Sequence, residues 1–228
     1  MKTSQLPDQD LLAKTLSEAD MYRLLSICLL PPTLELAQGI EEGSLEADVH
    51  ALFDDLRNIE TAESSNNLPA LCMPNKNSEI IFYELRKDYT HLFTHPTKPQ
   101  LSLYEMQFCD VLNGAENPST LFLNEAALHA EQCYRKAGMT LNASGSREPA
   151  DHIAIELEFM SYLFVQIASS IQNKNEDCRL TYETVLTEFS SHLSRWSSAF
   201  FTACAQSNRG VFYPWLGKIG VSFFEQVL

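Results

Sequence analysis

The segment from Glu148 to Met160 gives the strongest indication of the fold and reads Glu-Pro-Ala-Asp-His-Ile-Ala-Ile-Glu-Leu-Glu-Phe-Met. Proline suits the first position of a helix, because its missing N–H would have no partner there. We therefore predict that a helix begins at Pro149, with Asp151 in its first turn, where the helix dipole favours a carboxylate. Apolar side chains then recur at spacings of four and three, which predicts one buried helical face: Ile153, Leu157, Met160, Phe164, Ile167 and Ile171.

The composition is that of an acidic chain with enough apolar residues for a sizeable core. It has 228 residues, of which 45% are hydrophobic, and 16 basic against 30 acidic side chains give a formal net charge of −14. Nucleic acids and anionic membrane surfaces both attract clustered Lys and Arg, so this charge argues against either partner. Residues 1–138 carry −11 of the charge, and a cationic partner would be attracted mainly to them.

Six cysteines lie far apart, without a Cys-x-x-Cys pair: Cys28, Cys72, Cys109, Cys133, Cys178 and Cys204. Most fall in apolar stretches, which predicts buried thiols in a reducing compartment rather than disulfides or a zinc site. The sequence shows no positively charged start followed by an apolar run and a cleavage site. It also shows nothing that approaches the run of about 20 apolar residues needed to span a membrane. These observations predict a cytoplasmic protein.

Helical signals dominate the whole chain, and no alternating strand pattern or internal repeat occurs. We therefore predict an all-α fold, a two-lobed helical bundle. Capping residues, apolar stripes and breakers at proline or glycine predict helices from Ser17 to Pro31, over 33–42, from Ser44 to about Leu56, from Ser78 to Phe93, and over 104–112, 119–137, 149–172, 179–206 and 211–227.

Residues 139–148 are small and polar, and they predict a hinge inside one domain that covers residues 1–228. The N-terminal lobe would comprise about 1–138 and the C-terminal lobe about 149–228. A short polar segment of this kind can open and exchange lobes between protomers. We expect a monomer with a minor domain-swapped dimer.

Nothing in the sequence predicts catalysis. It contains no Gly-x-Ser-x-Gly elbow and no Gly-rich phosphate loop. His152 and Glu156 are four residues apart and share one helix face, a spacing that suits a metal ion. No second His-x-x-x-His or Cys pair supplies a further ligand, so we predict no metal, no cofactor and no enzyme activity. The remaining interpretations of Asp151 and His152 are helix capping and recognition of a partner.

A second segment places apolar residues at a helix end beside a proline-bounded loop. It runs Asp-Tyr-Thr-His-Leu-Phe-Thr-His-Pro over residues 88–96 and continues with Leu-Tyr-Glu at 103–105. Leu92 and Phe93, followed by Pro96, would form an apolar rim able to receive a peptide. Alternatively, these residues pack the loop against the core. A third, aromatic segment runs from His192 to Leu216, and such helix pairs are more often core than binding surface.

Together these segments resemble the TorD/DmsD family of maturation chaperones for molybdenum enzymes. The pattern Glu-Pro-x-Asp-His-Ile-x-x-Glu-Leu-x-Phe-Met is complete here. A Tyr-x-x-Leu-Phe segment precedes it and a His-Leu-x-x-Trp segment follows it, and the resemblance extends over about residues 18–224. The resemblance implies the same two-lobed, TorD-like helical bundle.

The resemblance also implies a function in anaerobic respiration. A cytoplasmic chaperone of this family would bind the twin-arginine signal peptide and the apo form of a molybdopterin-dependent oxidoreductase, and support cofactor insertion before export. A weak contact with a guanine nucleotide or with the molybdopterin cofactor stays open. The implied residues for binding the signal peptide and client are Leu92, Phe93, Pro96, Tyr104, Glu105, Glu148, Pro149, Asp151 and His152.

Two other functions compete with this hypothesis. One is a helical adaptor or regulatory protein without a molybdoenzyme client. The other is a metal-dependent hydrolase that uses His152 and Glu156.

Overall fold

The computed structural model describes residues 8–59, 68–74, 76–96, 99–115, 124–139 and 148–227. Over these residues the regular elements are α-helices, and β pairing is limited to an isolated bridge. The predicted all-α fold is therefore confirmed. The helices are α1 (Asp8–Leu29), α2 (Leu34–Glu42), α3 (Ser44–Ile59), α4 (Ser78–Leu92), α5 (Glu105–Leu112), α6 (Glu125–Lys136), α7 (Ile153–Gln172), α8 (Glu176–Leu193), α9 (Ser197–Ala205) and α10 (Phe212–Val227).

Short-range signals account for several helix ends. The Thr33 hydroxyl accepts a hydrogen bond from the N–H of Leu36 at 3.3 Å, so α2 begins at the predicted place. Gly43 ends the same helix with a φ of 75°, a left-handed conformation that glycine adopts without steric cost. At the start of α4, the side chain of Asn77 accepts from the N–H of Ile80 at 3.0 Å. The predicted starts of α2 and α4 are thus confirmed.

Helix α7 begins at Ile153 and not at Pro149, where we had predicted its start. The residue before it, His152, has an extended backbone with φ −79° and ψ 128°. The carbonyl of Leu103 accepts the N–H of Ile153 at 2.8 Å, and this bond to a distant segment holds the chain extended just before the helix. Asp151 therefore lies in the preceding turn, and the prediction that it occupies the first helical turn is wrong.

The single helix predicted over 179–206 is two helices in the structure. Helix α8 ends at Leu193, and α9 begins at Ser197 after a turn. Trp196 lies in this turn with a φ of −135°, and its ring is fully buried. Its Nε1–H donates to the Glu156 carboxylate at 3.1 Å. We infer that burial of the indole against α7 interrupts the helix.

Helix α1 packs along α7 and begins ahead of the start predicted at Ser17. The Ser26 hydroxyl donates to the main-chain carbonyl of Ala154 at 2.7 Å, which ties the two helices together near the start of α7. Further along, the ring of Tyr22 stacks on that of Phe164 with centroids 5.6 Å apart. A helix of the predicted N-terminal lobe is thus in direct contact with the first helix of the predicted C-terminal lobe.

One continuous set of buried apolar side chains includes residues from both predicted lobes. Of the predicted hinge at 139–148, residues 140–147 lie outside the described residues. The division into two lobes, the hinge and the monomer with a minor swapped dimer therefore stay predictions.

By length and composition, α7 (Ile153–Gln172) would be able to cross a membrane, a property that our inspection of the sequence missed. However, 67% of its most apolar window is buried inside the protein. A helix at the centre of a core has the same composition, so this finding gives only weak support for a membrane span.

Helices α9 and α10 approach each other closely at two glycines. A Cβ atom on Gly217 would lie 2.2 Å from the main-chain nitrogen of Ala205. One on Gly220 would lie 2.1 Å from a ring carbon of Phe201. Because both distances are far below van der Waals contact, the crossing accepts only hydrogen at these positions.

Candidate functional site

The structure joins two segments that the sequence analysis treated separately. Residues Tyr104 and His152 form an antiparallel bridge. The N–H of Glu105 donates to the carbonyl of Asp151 at 2.9 Å, and the N–H of Ile153 donates to the carbonyl of residue 103 at 2.8 Å. We call the paired segments 103–105 and 151–153, together with Glu148, the junction. It places the loop before α5 directly on the start of α7.

Side chains reinforce the junction on its outer side. The Tyr104 hydroxyl donates to Glu148 Oε2 at 2.9 Å, and its ring meets that of His152 edge-on at 5.3 Å. Burial and the neighbouring Glu148 carboxylate raise the pKa of Tyr104, so it stays a hydrogen-bond donor at neutral pH. Tyr104 and Glu148 of the junction, and the neighbouring Pro149, are partly exposed, so solvent reaches these predicted site residues.

His152 caps α7. Its Nδ1 accepts the N–H of Ala154 at 3.1 Å, which satisfies one of the free donors at the helix start. Burial lowers the pKa of His152 to about 4, although the charge of Glu148 acts in the opposite direction. The ring is therefore neutral at pH 7, and only a neutral Nδ1 can accept this bond. The capping interpretation is confirmed for His152.

Asp151 connects the junction to α6. It is almost completely buried, and its Oδ2 accepts from the side-chain amide of Asn124 at 3.0 Å. Asn124 in turn caps α6 by accepting the N–H of Ala127 at 2.8 Å. Burial raises the pKa of Asp151, and the hydrogen bond from Asn124 opposes this effect. Sequence reasoning missed Asn124 because the predicted helix began at residue 119, which is outside the described residues.

Behind the junction lies a buried polar cluster formed by Glu105, Glu156, His192 and Trp196. His192 Nε2 lies 2.9 Å from Glu105 Oε2 and 3.3 Å from Glu156 Oε1. The other oxygen of Glu156 accepts from the indole of Trp196 at 3.1 Å. The cluster therefore connects α5, α7, the end of α8 and the turn before α9.

Burial and hydrogen bonds shift the pKa values of Glu156 and His192 in this cluster, so that the two groups share a proton. Burial raises the pKa of Glu156 to about 7, and the hydrogen bond to His192 opposes the rise. For His192, burial acts downward on the pKa, and the hydrogen bonds to Glu105 and Glu156 act upward and prevail. On its other side, His192 Nδ1 contacts the guanidinium of Arg195. Nε2 of His192, which faces both carboxylates, carries the proton that they share.

The pairing of His152 and Glu156 that the alternative hydrolase hypothesis requires is not formed. His152 turns back to its own helix start, whereas Glu156 points to His192 and Trp196. Among the described residues, the groups able to hold a metal ion do not include His152. The hydrolase hypothesis thus loses the ligand pair on which it depended.

Leu92 and Phe93 lie in the core. Both are buried, and the ring of Phe93 packs edge-on against Tyr213 at 5.1 Å and stacks on Phe200 at 6.3 Å. The alternative interpretation, that they pack the loop onto the core, describes this arrangement. Pro96 is exposed beyond them. Contact of these three residues with a client stays a prediction.

An apolar groove opens beside the junction, between the loop at 99–102, α5 and α9. It has a volume of about 970 Å³, and none of its lining residues is charged. Val111 and Leu112 on α5 are 58% and 60% exposed along it. Ser102 lines the groove and accepts the N–H of Tyr104 at 3.1 Å, so the groove and the junction are adjacent. Sequence reasoning missed the α9 side of the groove, because Ala199 and Thr202 carry no signal beyond helix formation.

Comparison with known proteins identifies the family. The family model for the nitrate reductase delta subunit matches residues 42–202. The chain belongs to this family. It is also 25% identical over 215 residues to a protein named chaperone protein TorD from Vibrio cholerae serotype O1 (strain M66-2), covering 93% of this chain and 83% of that protein. A chaperone protein TorD from Aliivibrio fischeri (strain ATCC 700601 / ES114) is 26% identical over 210 residues, covering 91% of both chains.

These comparisons confirm the TorD-like resemblance inferred from the three segments. The family match covers the junction and the polar cluster, because residues 42–202 include Tyr104, Asp151, Glu156 and His192. The site residues themselves stay predictions.

Proposed function

We propose that this nitrate reductase delta subunit family member is a cytoplasmic chaperone for a molybdopterin-dependent oxidoreductase, and not an enzyme. It binds the twin-arginine signal peptide and the apo form of the client, and it releases them after cofactor insertion. The uncharged groove between α5 and α9, open beside a partly exposed carboxylate, is the observation that carries this proposal. The names of the relatives support the same role.

The groove matches the apolar part of a signal peptide. Its lining contains aliphatic, aromatic and small polar side chains without a charge, and the exposed Val111 and Leu112 supply an apolar surface. Burying an apolar peptide there removes both surfaces from water and gains about 25 cal/mol per Å². Binding of this kind needs shape and apolar area, and does not require a single sequence.

The paired arginines of the peptide need carboxylates. Glu148 is partly exposed, and the hydroxyl of Tyr104 holds it beside the segment that borders the groove. The net charge of −14 adds a longer-range attraction for a cationic peptide end. We infer that arginine contacts Glu148 while the apolar part of the peptide lies in the groove.

Asp151 and His152 support this surface from inside the protein. Both side chains are buried, and both hold the junction in place through hydrogen bonds. Their effect on the client is therefore through the positions of Tyr104 and Glu148. Weak contacts with a guanine nucleotide or the molybdopterin cofactor stay predictions, as does the adaptor alternative.

The test is calorimetry with synthetic twin-arginine leaders from several molybdoenzymes. We expect micromolar binding that weakens with salt, because exposed charge pairs are screened whereas apolar burial is not. Val111→Glu should weaken binding more than about tenfold, since it places a charge in apolar contact. Leu180→Glu, at a 65% exposed position on α8, is the matched control and should bind normally.

A pair of carboxylate-to-amide substitutions tests the arginine contact. Glu148→Gln keeps an acceptor for Tyr104 but removes the charge, so leader affinity and its salt dependence should both fall. Asp151→Asn makes the same change at a buried site and should leave affinity close to normal. If no leader binds, or if a leader with both arginines changed to lysine binds as tightly as its parent, signal-peptide recognition is wrong.

A further inference from the structure

Helices α6 and α8 bring together three metal-ligating side chains away from the junction and the groove. His129 and Cys133 are one turn apart on α6, and Glu188 faces them from α8. One ligand atom from each residue lies within 4.8 Å of the other two. His129 Nε2 is 3.8 Å from Glu188 Oε1. Our sequence analysis missed this group, because Glu188 is distant along the chain.

We propose that His129, Cys133 and Glu188 bind a divalent cation of the zinc class, which clamps α6 to α8. Imidazole nitrogen, thiolate sulfur and carboxylate oxygen are the ligands that Zn²⁺ prefers. With bonds of about 2.0–2.3 Å, tetrahedral ligand atoms lie roughly 3.5 Å apart, so the observed group needs only a small inward rotation of its side chains. This proposal is independent of the proposed chaperone function.

The proposed metal site is buried on one side and open to solvent on the other. Cys133 is fully buried, whereas the side chains of His129 and Glu188 are 38% and 39% exposed. An ion can therefore enter from solvent, and water completes its coordination. On binding, Cys133 coordinates as the thiolate and its proton passes to solvent. The fully buried group of Glu105, Glu156 and His192 offers no comparable entry, since its atoms already bond to one another.

One cation competes for the same carboxylate. Lys136 Nζ donates to both oxygens of Glu188, at 2.7 and 2.8 Å. Its side chain is 51% exposed, and exposed ion pairs of this kind are weak. A metal ion needs only one oxygen, so Lys136 does not block the site. Its positive charge still opposes a second cation on the same carboxylate, so removing Lys136 should tighten metal binding.

This proposal departs from our expectation of no metal. That expectation considered His152 with Glu156, and cysteines that lack a Cys-x-x-Cys spacing. It did not consider a site assembled from α6 and α8, whose ligands are distant along the chain.

The test is a Co²⁺ titration of the full-length protein under reducing conditions, followed by displacement with Zn²⁺. We expect one ion per chain, a near-ultraviolet thiolate-to-cobalt band, and loss of that band when Zn²⁺ is added. His129→Gln and Glu188→Gln change partly exposed side chains, so they should fold normally and weaken binding more than about 100-fold, beyond the loss from an outer-shell partner. Lys136→Gln should strengthen it.

Thiol controls separate this site from adventitious binding. Cys133→Ser should abolish the band, whereas Cys178→Ser, which removes an exposed thiol on α8, should keep it. Because Cys133 is buried, the two Gln variants decide the question if Cys133→Ser does not fold. Absence of a saturable band, or a band that survives both His129→Gln and Glu188→Gln, would overturn the proposal.

Discussion

The core is polar at the N-terminal end of α7 and apolar where α9 crosses α10. In the polar cluster, one carboxylate oxygen of Glu156 contacts His192 and the other accepts from Trp196. At the crossing, Gly217 lies against the backbone of α9, and the contact depends on shape alone. Both regions are fully buried. Burial by itself therefore does not predict which substitutions or solution conditions will destabilise a region.

The two regions differ in the interactions that stabilise them: directional hydrogen bonds between ionisable groups in the polar cluster, and close packing at the crossing. A carboxylate in a low-dielectric interior is stable only while its hydrogen bonds and its shared proton are in place. Close packing of two helices depends on volume and changes little with pH or salt. Removing a side-chain group should therefore lower the stability most in the polar cluster. Adding one should lower it most at the crossing.

The largest expected effect comes from breaking the polar cluster. Glu156→Ala removes the acceptor of Trp196 and one of the two carboxylates that contact His192. Loss of one member of a buried ionic group costs about 4 kcal/mol. Urea denaturation should measure this decrease in the free energy of unfolding.

Glu158→Ala is the matched control for that measurement. Glu158 lies on the same helix but is only partly buried. We expect a change within about 0.5 kcal/mol, as is usual away from buried networks. Similar losses for the two variants would show that the cluster contributes no special stability.

The next effect comes from filling the crossing. Gly217→Ala places a Cβ against the main chain of Ala205, and overpacking of this kind costs about 3 kcal/mol. Gly43→Ala is the control, because its site is open and its cost is the left-handed φ of 75° alone, about 1 kcal/mol. A melting temperature lowered equally in both variants would contradict tight packing at α9 and α10.

The smallest expected effect is a pH dependence of stability at the start of α7 that the crossing of α9 and α10 lacks. The pKa of His152 is about 4 in the folded protein, below the usual unfolded value of about 6.5. Below pH 6.5 the unfolded state takes up the proton first, so stability falls as the pH drops from 6.5 towards 4. At pH 5 this loss is about 2 kcal/mol relative to pH 7.

His152→Asn keeps a side-chain acceptor for the helix cap but does not titrate. Its loss of stability on acidification should be smaller than that of the parent protein by about this amount, in denaturation curves at pH 7 and pH 5. Gly217→Ala should keep the parent's pH dependence. An equal acid loss in the parent and in His152→Asn would show that His152 is not the titrating group.

Local signals predicted most of the fold because they act over a single turn of helix. The Thr33 and Asn77 caps, together with the left-handed Gly43, are decided by neighbours within four residues, and the structure has these ends where they were predicted. The start of α7 was predicted wrongly because the bond from Ile153 to Leu103 connects distant parts of the chain. The turn at Trp196 was missed for the same reason, since its partner is Glu156.

Helical class, family and the residue types of the candidate site could be predicted from the sequence. Those features follow from periodicity, composition and short patterns, which require no knowledge of distant contacts. Which of these residues meet depends on tertiary contacts: Tyr104 with His152, and His192 with Glu105 and Glu156. The groove between α5 and α9 also depends on tertiary contacts, because a cavity forms between packed elements and no single segment encodes it.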